Sequence, residues 1–257
     1  MKKQPLLCTI QDIRPMGPGI YSITVQNAQL AGQAQPGQFI HIKCGPEFTL
    51  RRPISICDAC EDKLTFLFEV RGEGTDWLAR RQVGETLDIM GPLGHGYDVQ
   101  GVERALVIGG GIGIYPLYLT ARKIFHCDAV LGFRTKELVV YEKQFRQVCD
   151  QVAITTDDGS YGEAGLVTGP MKRLVAENHY DRIYACGPLK MLQAIAQVAK
   201  EAGIPCQVSM EQRMGCGIGA CLVCACKVKS GMSDTEWKYS HVCKAGPVYD
   251  AEEVIFE

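Results

Sequence analysis

The chain has 257 residues, 46% hydrophobic and 22% charged, ordinary globular proportions that exclude a disordered or fibrous chain. Its 27 basic and 29 acidic side chains leave a net charge of −2, which gives no electrostatic footprint for nucleic acid. Two counts stand out, 28 glycines and 13 cysteines. At roughly 100–200 residues per domain the length predicts two domains, or three if one is small.

In chain order, residues 1–100 are short alternating segments: Gly19 to Val25, Gln38 to Lys43, Lys63 to Val70 and Glu85 to Met90. Period two with glycine and proline between segments predicts strands, and strands at this spacing, with one helical stretch near Asp76 to Arg81, suggest a small closed barrel. From 101 to 208 the rhythm becomes strand, helix, strand. Apolar runs at Ala105 to Ile108, Ala129 to Phe133, Val152 to Thr155 and Ile183 to Cys186 alternate with helical stretches near Pro116 to Phe125, Val167 to Glu177 and Leu189 to Ala202. That alternation predicts a parallel sheet with crossover helices. Residues 209–257 are cysteine-rich and poor in apolar periodicity, a segment expected to need a cofactor in order to fold.

The uncharged, apolar-rich run Ala105 to Ala121 is interrupted by Gly109, Gly110, Gly111, Gly113 and Pro116 and reads as strand, turn and helix, not as a membrane span. Lys2 and Lys3 imitate the start of a signal peptide. Gln4, Gln11 and Asp12 leave no apolar stretch of about 7–15 residues behind them, so export is not expected. The odd cysteine count and the metal-ligand spacing of the tightest group point to a reducing cytoplasm.

Cys216, Cys221, Cys224 and Cys243 read C-x4-C-x2-C with a distant fourth cysteine, the spacing of plant-type [2Fe-2S] ferredoxins. Gly215, Gly217, Gly219 and Ala220 remove side chains that would keep the backbone away from an inorganic core, and free its N–H groups to face sulfur. Four thiolates also suit tetrahedral zinc. Zinc folds usually pair two C-x2-C knuckles, however, and this chain has one, so iron–sulfur is favoured. Cys226 breaks the x2 spacing and reads as a buried apolar residue. His241 alone does not meet the two-histidine requirement of a Rieske centre.

Gly109-Gly110-Gly111-Ile112-Gly113-Ile114-Tyr115-Pro116 follows an apolar strand and opens a helix, where a backbone can cradle a pyrophosphate; a purely structural tight turn is the alternative. Thr155 to Ser160 and Cys186-Gly187-Pro188 end two later strands, and ligands of open α/β sheets bind beyond such carboxyl ends. Asp157 and Asp158 would repel a 2′-phosphate, which favours NAD over NADP. In the barrel, Arg51 and Arg52 beside Ser55, facing a helix start capped by Thr75, form a candidate diphosphate clamp. Solvated arginines on an edge strand are the competing reading.

The order of these parts, R-x-x-S in a β barrel, GGGIG and CGP in a nucleotide domain, then a cysteine loop, resembles the ferredoxin reductase superfamily, and within it the electron-transfer subunits of class 1B dihydroorotate dehydrogenases. The resemblance covers essentially the whole chain and is most specific at Leu50 to Ile56, Gly72 to Thr75, Gly91 to Gly94, Thr156 to Gly162, Glu211 to Cys221 and Gly246 to Val248. It implies a multidomain fold: a β-barrel FAD domain (1–100), an α/β parallel-sheet NAD domain (101–208) and a small C-terminal [2Fe-2S] domain (209–257). It implies FAD at Arg52, Pro53, Ile54, Ser55, Phe68, Glu69, Val70, Gly74 and Thr75, NAD at Gly109, Gly110, Gly111, Gly113, Asp157, Cys186, Gly187 and Pro188, and the cluster on Cys216, Cys221, Cys224 and Cys243. Ser55 is expected near the reactive nitrogen of the flavin and Cys186 beside the nicotinamide. Two departures follow: Ile54 replaces the tyrosine that stacks on flavin in many of the superfamily's reductases, and Glu69 stands where the subunits commonly carry arginine, with Arg71 as the nearest substitute. The implied partner is an FMN-containing catalytic subunit in a heterotetramer with two copies of each chain. The alternative within the same class is a reductase subunit of another complex, of the sulfide dehydrogenase or hydrogenase type. From a different class comes a zinc-stabilised binding module without turnover.

Overall fold

A computed structural model describes residues 4–231 and 236–257; Lys2 and Lys3 lie outside the described residues. The amino-terminal unit consists of β1 (Leu6–Gly17), β2 (Ile20–Gln26), α1 (Ala28–Gln33), β3 (Phe39–Ile42), β4 (Arg52–Cys60), β5 (Lys63–Glu69), α2 (Glu73–Ala79) and β6 (Thr86–Leu93). Its six strands close into a barrel in the order β1-β2-β5-β4-β3-β6. Alternate residues such as Ile10, Ile23, Ile40, Ile42, Leu64, Phe66 and Ile89 fill its interior, as period-two patterning requires.

Besides β4, two elements here go unannounced by the alternation. In β1 the polar Gln11, Asp12 and Arg14 and the ring of Pro15 obscure the period, and the strand absorbs them with register shifts at Ile10/Asp12 and Pro15/Gly17. In α1 the stabilising signal is a cap: the Asn27 side chain accepts from the Leu30 N–H at 2.9 Å. The helix expected at Asp76 starts earlier, at Glu73, with Gly72 as its N-cap. Thr75 is therefore not the cap; it sits in the first turn and its hydroxyl reaches back to the N–H groups of Arg71 (2.9 Å) and Gly72 (3.2 Å).

The rest of the chain comprises β7 (Arg104–Gly110), α3 (Tyr115–Lys123), β8 (His126–Phe133), α4 (Glu142–Val148), β9 (Gln151–Thr156), β10 (Glu163–Ala164), α5 (Thr168–Glu177), β11 (Arg182–Cys186), α6 (Leu189–Glu201), β12 (Cys206–Ser209), β13 (Ala225–Lys229), β14 (Trp237–His241) and β15 (Val248–Asp250). One seven-stranded sheet has the order β10-β9-β8-β7-β11-β12-β15, and β13 and β14 form a hairpin of their own. Within the sheet the pairs are parallel except β12 with β15. The chain runs outward from β7 through β8 to β9, then returns to start β11 on the other side of β7. The switch point of this doubly wound sheet, where ligands of such folds bind, therefore lies between β7 and β11.

The fold is the expected one of barrel, parallel-sheet domain and C-terminal cysteine segment. What periodicity could not show is that the C-terminal segment returns to the sheet through β15 and shares its core. Val228, Val242, Cys243, Tyr249 and Val254 belong to the same buried cluster as Ile183, Leu192 and Val208. A segment too small for its own core thus borrows one. Barrel and sheet are held together by Arg122 on α3, paired with Asp58 on β4, and by the Tyr97 hydroxyl donating to the Ala185 carbonyl at 2.9 Å.

Candidate functional site

A cavity of about 520 Å³ opens where the three parts meet, within the ~300–1,000 Å³ common for cofactor sites. The barrel supplies Arg52, Pro53, Ile54 and Ser55 from β4, Phe68 and Glu69 from β5, and Thr75 from α2. The sheet domain supplies Gly113 and Cys186, and the C-terminal segment supplies Glu211, Gln212, Arg213 and Met214. Nine of the residues named from sequence are thereby brought together; Val70, Gly74, Gly109, Gly110, Gly111, Asp157, Gly187 and Pro188 do not line this cavity.

The arginines divide their work. Arg51 turns away from the cavity, donating to the Asp88 carboxylate at 2.9 Å and to its carbonyl at 3.0 Å, so the two-arginine clamp reduces to Arg52. Arg52 lies over α2, where a Cβ on Gly74 would stand 2.5 Å from its Nε. Its guanidinium is a charged donor suited to a diphosphate, while the Thr75 hydroxyl, which also lines the cavity, donates to the Gly72 carbonyl at 2.9 Å and so fixes the turn. Arg71 also reaches the cavity, with its Nε donating to Glu69 Oε2 at 2.7 Å, so the acid at 69 arrives already neutralised.

At the switch point, Gly109 and Cys186 are register partners across β7 and β11. The two turns that follow are pressed together: a Cβ on Gly113 would lie 2.4 Å from the Cys186 carbonyl oxygen. A short 3-10 turn over Gly111–Ile114 then leads into α3, which carries Pro116 in its first turn, so the glycine turn opens a helix at the sheet edge, the place where a pyrophosphate can sit. Asp157 lies two strands out, after β9, its N–H donating to the Phe133 carbonyl at 3.0 Å. Burial first, then the Glu211 carboxylate, pushes the Cys186 thiol up to about 12, so it is a neutral thiol at ordinary pH.

The cysteine loop continues directly from the cavity wall, with Cys216 two residues beyond Met214. Cys216 and Cys221 lie thiol to thiol, as do Cys224 and Cys243. Six backbone N–H groups point at these sulfurs: Ile218, Ala220 and Cys221 at Cys216, Cys216 at Cys221, Gly219 at Cys243 and Cys243 at Cys224, at 3.1–3.4 Å. Among the described residues no three metal-ligating side chains converge on one ion. Two thiolate pairs wrapped in amide donors fit a binuclear cluster, in which each iron takes two thiolates. Leu222 adopts a φ of +60°, reversing the chain so that Cys221 stays exposed while Cys224 turns into the core. Burial opposes ionisation of Cys216, but the N–H groups of Ile218, Cys221 and Ala220 and the Cys221 thiol outweigh it and lower the thiol to about 6. Burial, with Cys224 alongside, raises Cys243 to about 12. Cys226 is buried beside Tyr249, away from this ring of donors.

The sequence reading did not assign a role to Glu211–Met214, Tyr115 or Pro247, which line the cavity, or to His41. The available signal was position: Glu211–Met214 runs straight into the loop that begins at Cys216. His41 gave no signal, because its role is a contact between distant segments.

The chain is 42% identical over 223 residues, 86% of its length and 87% of the relative's, to the dihydroorotate dehydrogenase B (NAD(+)) electron transfer subunit of Caldanaerobacter subterraneus subsp. tengcongensis. It is 40% identical to the subunit of the same name from Bacillus mycoides, covering 99% of both chains. The chain belongs to the dihydroorotate dehydrogenase B electron transfer subunit family. The iron–sulfur cluster binding domain of dihydroorotate dehydrogenase B matches residues 211–255, a stretch that takes in all four thiols of the loop. Among solved structures, an NADH-dependent reduced ferredoxin-NADP oxidoreductase, described in connection with flavin-based electron bifurcation, superposes with a TM-score of 0.86 at 29% identity, covering 98% of this chain and 90% of that one. The ferredoxin reductase of carbazole 1,9a-dioxygenase, at 22% identity and a TM-score of 0.66 over 79% of this chain and 67% of its own, shares the fold.

Proposed function

We propose that this family member is the electron-transfer subunit of an NAD-dependent dihydroorotate dehydrogenase. It carries FAD and a [2Fe-2S] cluster and passes electrons from an FMN-containing catalytic subunit to NAD⁺ in pyrimidine biosynthesis. The observation that carries the reading is the continuity of the cavity wall Glu211–Met214 with the cysteine loop, which puts a flavin-sized cavity and a binuclear metal site on one stretch of chain. Among the described residues no helix is long and apolar enough to cross a membrane. We place the protein in the cytoplasm, in a complex with two copies of each subunit.

When bound, FAD exchanges hydride with NAD(H) and single electrons with the cluster, chemistry that no side chain here supplies. Arg52 would hold the diphosphate with Thr75 fixing the turn beside it, Ser55 would offer its hydroxyl to the flavin, and Phe68 and Glu69 would support it from β5. The turn Gly109–Gly113 and Cys186-Gly187-Pro188 hold the dinucleotide at the switch point. Cys186 remains a neutral thiol, so it orients and excludes water without moving a proton. Asp157 disfavours a 2′-phosphate. Cys216, Cys221, Cys224 and Cys243 hold the metal pair, and the exposed Ile218, Leu222 and Val223 around Cys221 form the face toward the catalytic subunit.

The test is co-expression with an FMN-containing dihydroorotate dehydrogenase subunit. A coloured complex containing FAD, iron and sulfide, which reduces NAD⁺ but not NADP⁺ when given dihydroorotate, is the expected result. Stable co-purification without dihydroorotate-dependent NADH formation would sink the reading. A second reading, as the NADH-linked flavin subunit of another redox complex, draws on the similarity to the reduced ferredoxin-NADP oxidoreductase. Reduction of NAD⁺ by reduced ferredoxin but not by dihydroorotate would select it.

A further inference from the structure

His41 lies in β3, a strand covered on both sides. Ile40 and Ile42 point into the barrel core, while Phe39 joins the core shared with the C-terminal segment. His41 has the parity of Phe39 and is fully buried, yet neither ring nitrogen has a hydrogen-bond partner. The carbonyls of Cys216 and Arg51 face the ring without reaching normal hydrogen-bond geometry. Above it lies Gly217, with a φ of +73°, where a Cβ would stand 2.5 Å from His41 Nδ1. Beside it across β3 and β4 is Pro53, its register partner and a wall of the cavity.

The imidazole therefore occupies the junction between the flavin cavity and the first cluster cysteine. For the fold alone an aliphatic side chain of similar size would serve better, since a buried polar group without partners is costly. An N–H on this ring faces the Cys216 carbonyl, so the ring fixes the peptide that leads to the Ile218 and Ala220 N–H groups on the Cys216 sulfur, and such donors stabilise the reduced, more negative form of an iron–sulfur cluster.

We propose that His41 is a positioning residue that seats the Cys216 end of the cluster loop on the flavin barrel and raises the electron affinity of the cluster held there. This rests on the reading of Cys216, Cys221, Cys224 and Cys243 as cluster ligands.

The experiment compares wild-type complex with His41→Leu and His41→Gln by FAD, iron and sulfide content, redox titration of the cluster, and the paramagnetic resonance spectrum of the reduced protein. Leu should retain FAD and cluster but shift the midpoint potential negative, change the resonance spectrum and release iron to a chelator about 10-fold faster. Gln, which keeps a donor, should return all three toward wild type. A Leu variant with wild-type potential and spectrum would overturn the proposal, and so would a Gln variant displaced as far as Leu. If His41→Leu does not fold, Gly217→Ala approaches the same contact from the loop side; an unchanged resonance spectrum and iron-release rate there would overturn it equally. Wild-type complex lacking iron and sulfide would instead remove the functional reading on which the proposal stands.

Discussion

Three of the four thiols proposed to hold the cluster come from one loop, Cys216 to Cys224, while the adjoining cavity takes its walls from the barrel, the switch point of the sheet and the segment Glu211–Met214. The loop is a local device: four of its amides are spent on its own sulfurs and a fifth on Cys243, whose own N–H returns to Cys224. The cavity is an assembly that exists only while three parts of the chain are docked, through contacts such as Arg122 with Asp58 and Tyr97 with Ala185. Damage to the loop should therefore stay in the loop, and damage to one cavity wall should leave the cluster intact.

The largest effect expected is from Cys221→Ser. Removing a direct ligand should take iron and acid-labile sulfide to background, with transfer to the catalytic subunit down on the order of 100-fold or more, since neighbours of a ligand alone are worth about 10- to 100-fold. FAD content should be unchanged; metal analysis beside flavin absorbance checks both, and loss of FAD together with iron would break the separation.

The thiols themselves sharpen the contrast. In cluster-free protein Cys216 titrates near 6, held down by amide donors, and Cys186 near 12, held up by burial. At pH 7 Cys216 is thus mostly thiolate and Cys186 almost wholly thiol. Alkylation should favour Cys216 on the order of 100-fold, after allowing for the lower nucleophilicity of the more acidic thiol. Its rate should rise as pH climbs through 6 and then level off, with Cys186 silent until strongly alkaline pH. Peptide mapping after a short iodoacetamide pulse reads this out, and comparable labelling of Cys186 would show that the cavity thiol is not sealed.

The smallest effect falls on the cavity side. Arg52→Ala removes one charge-assisted donor set, worth about 2 kcal/mol, or roughly 30-fold in FAD affinity. Fluorescence titration of flavin-depleted protein measures it, and iron and sulfide should remain at the wild-type ratio.

Much of this molecule was legible in the linear chain because its signals are local. Lys63 to Val70 announces a strand by alternation, and C-x4-C-x2-C announces a ligand loop by spacing, since chain neighbours are held close whatever the rest of the fold does. β1 and α1 were less legible, the first because bulges and Pro15 disturb its period, the second because a capping asparagine, not an apolar stripe, marks it. The order GGGIG, CGP, cysteine loop likewise pointed to its cofactor chemistry without geometry.

Amino-acid order alone determined the class of fold, the four thiols and the glycine turn, each of which is set by covalent proximity. Tertiary structure alone decided that Arg51 serves Asp88 and leaves Arg52 to the cavity, that β15 returns to close the edge of the sheet, and that His41 meets Gly217. These are contacts between residues far apart in the chain. They arise from the packing of faces against one another, and no spacing in a one-dimensional string encodes which faces will meet.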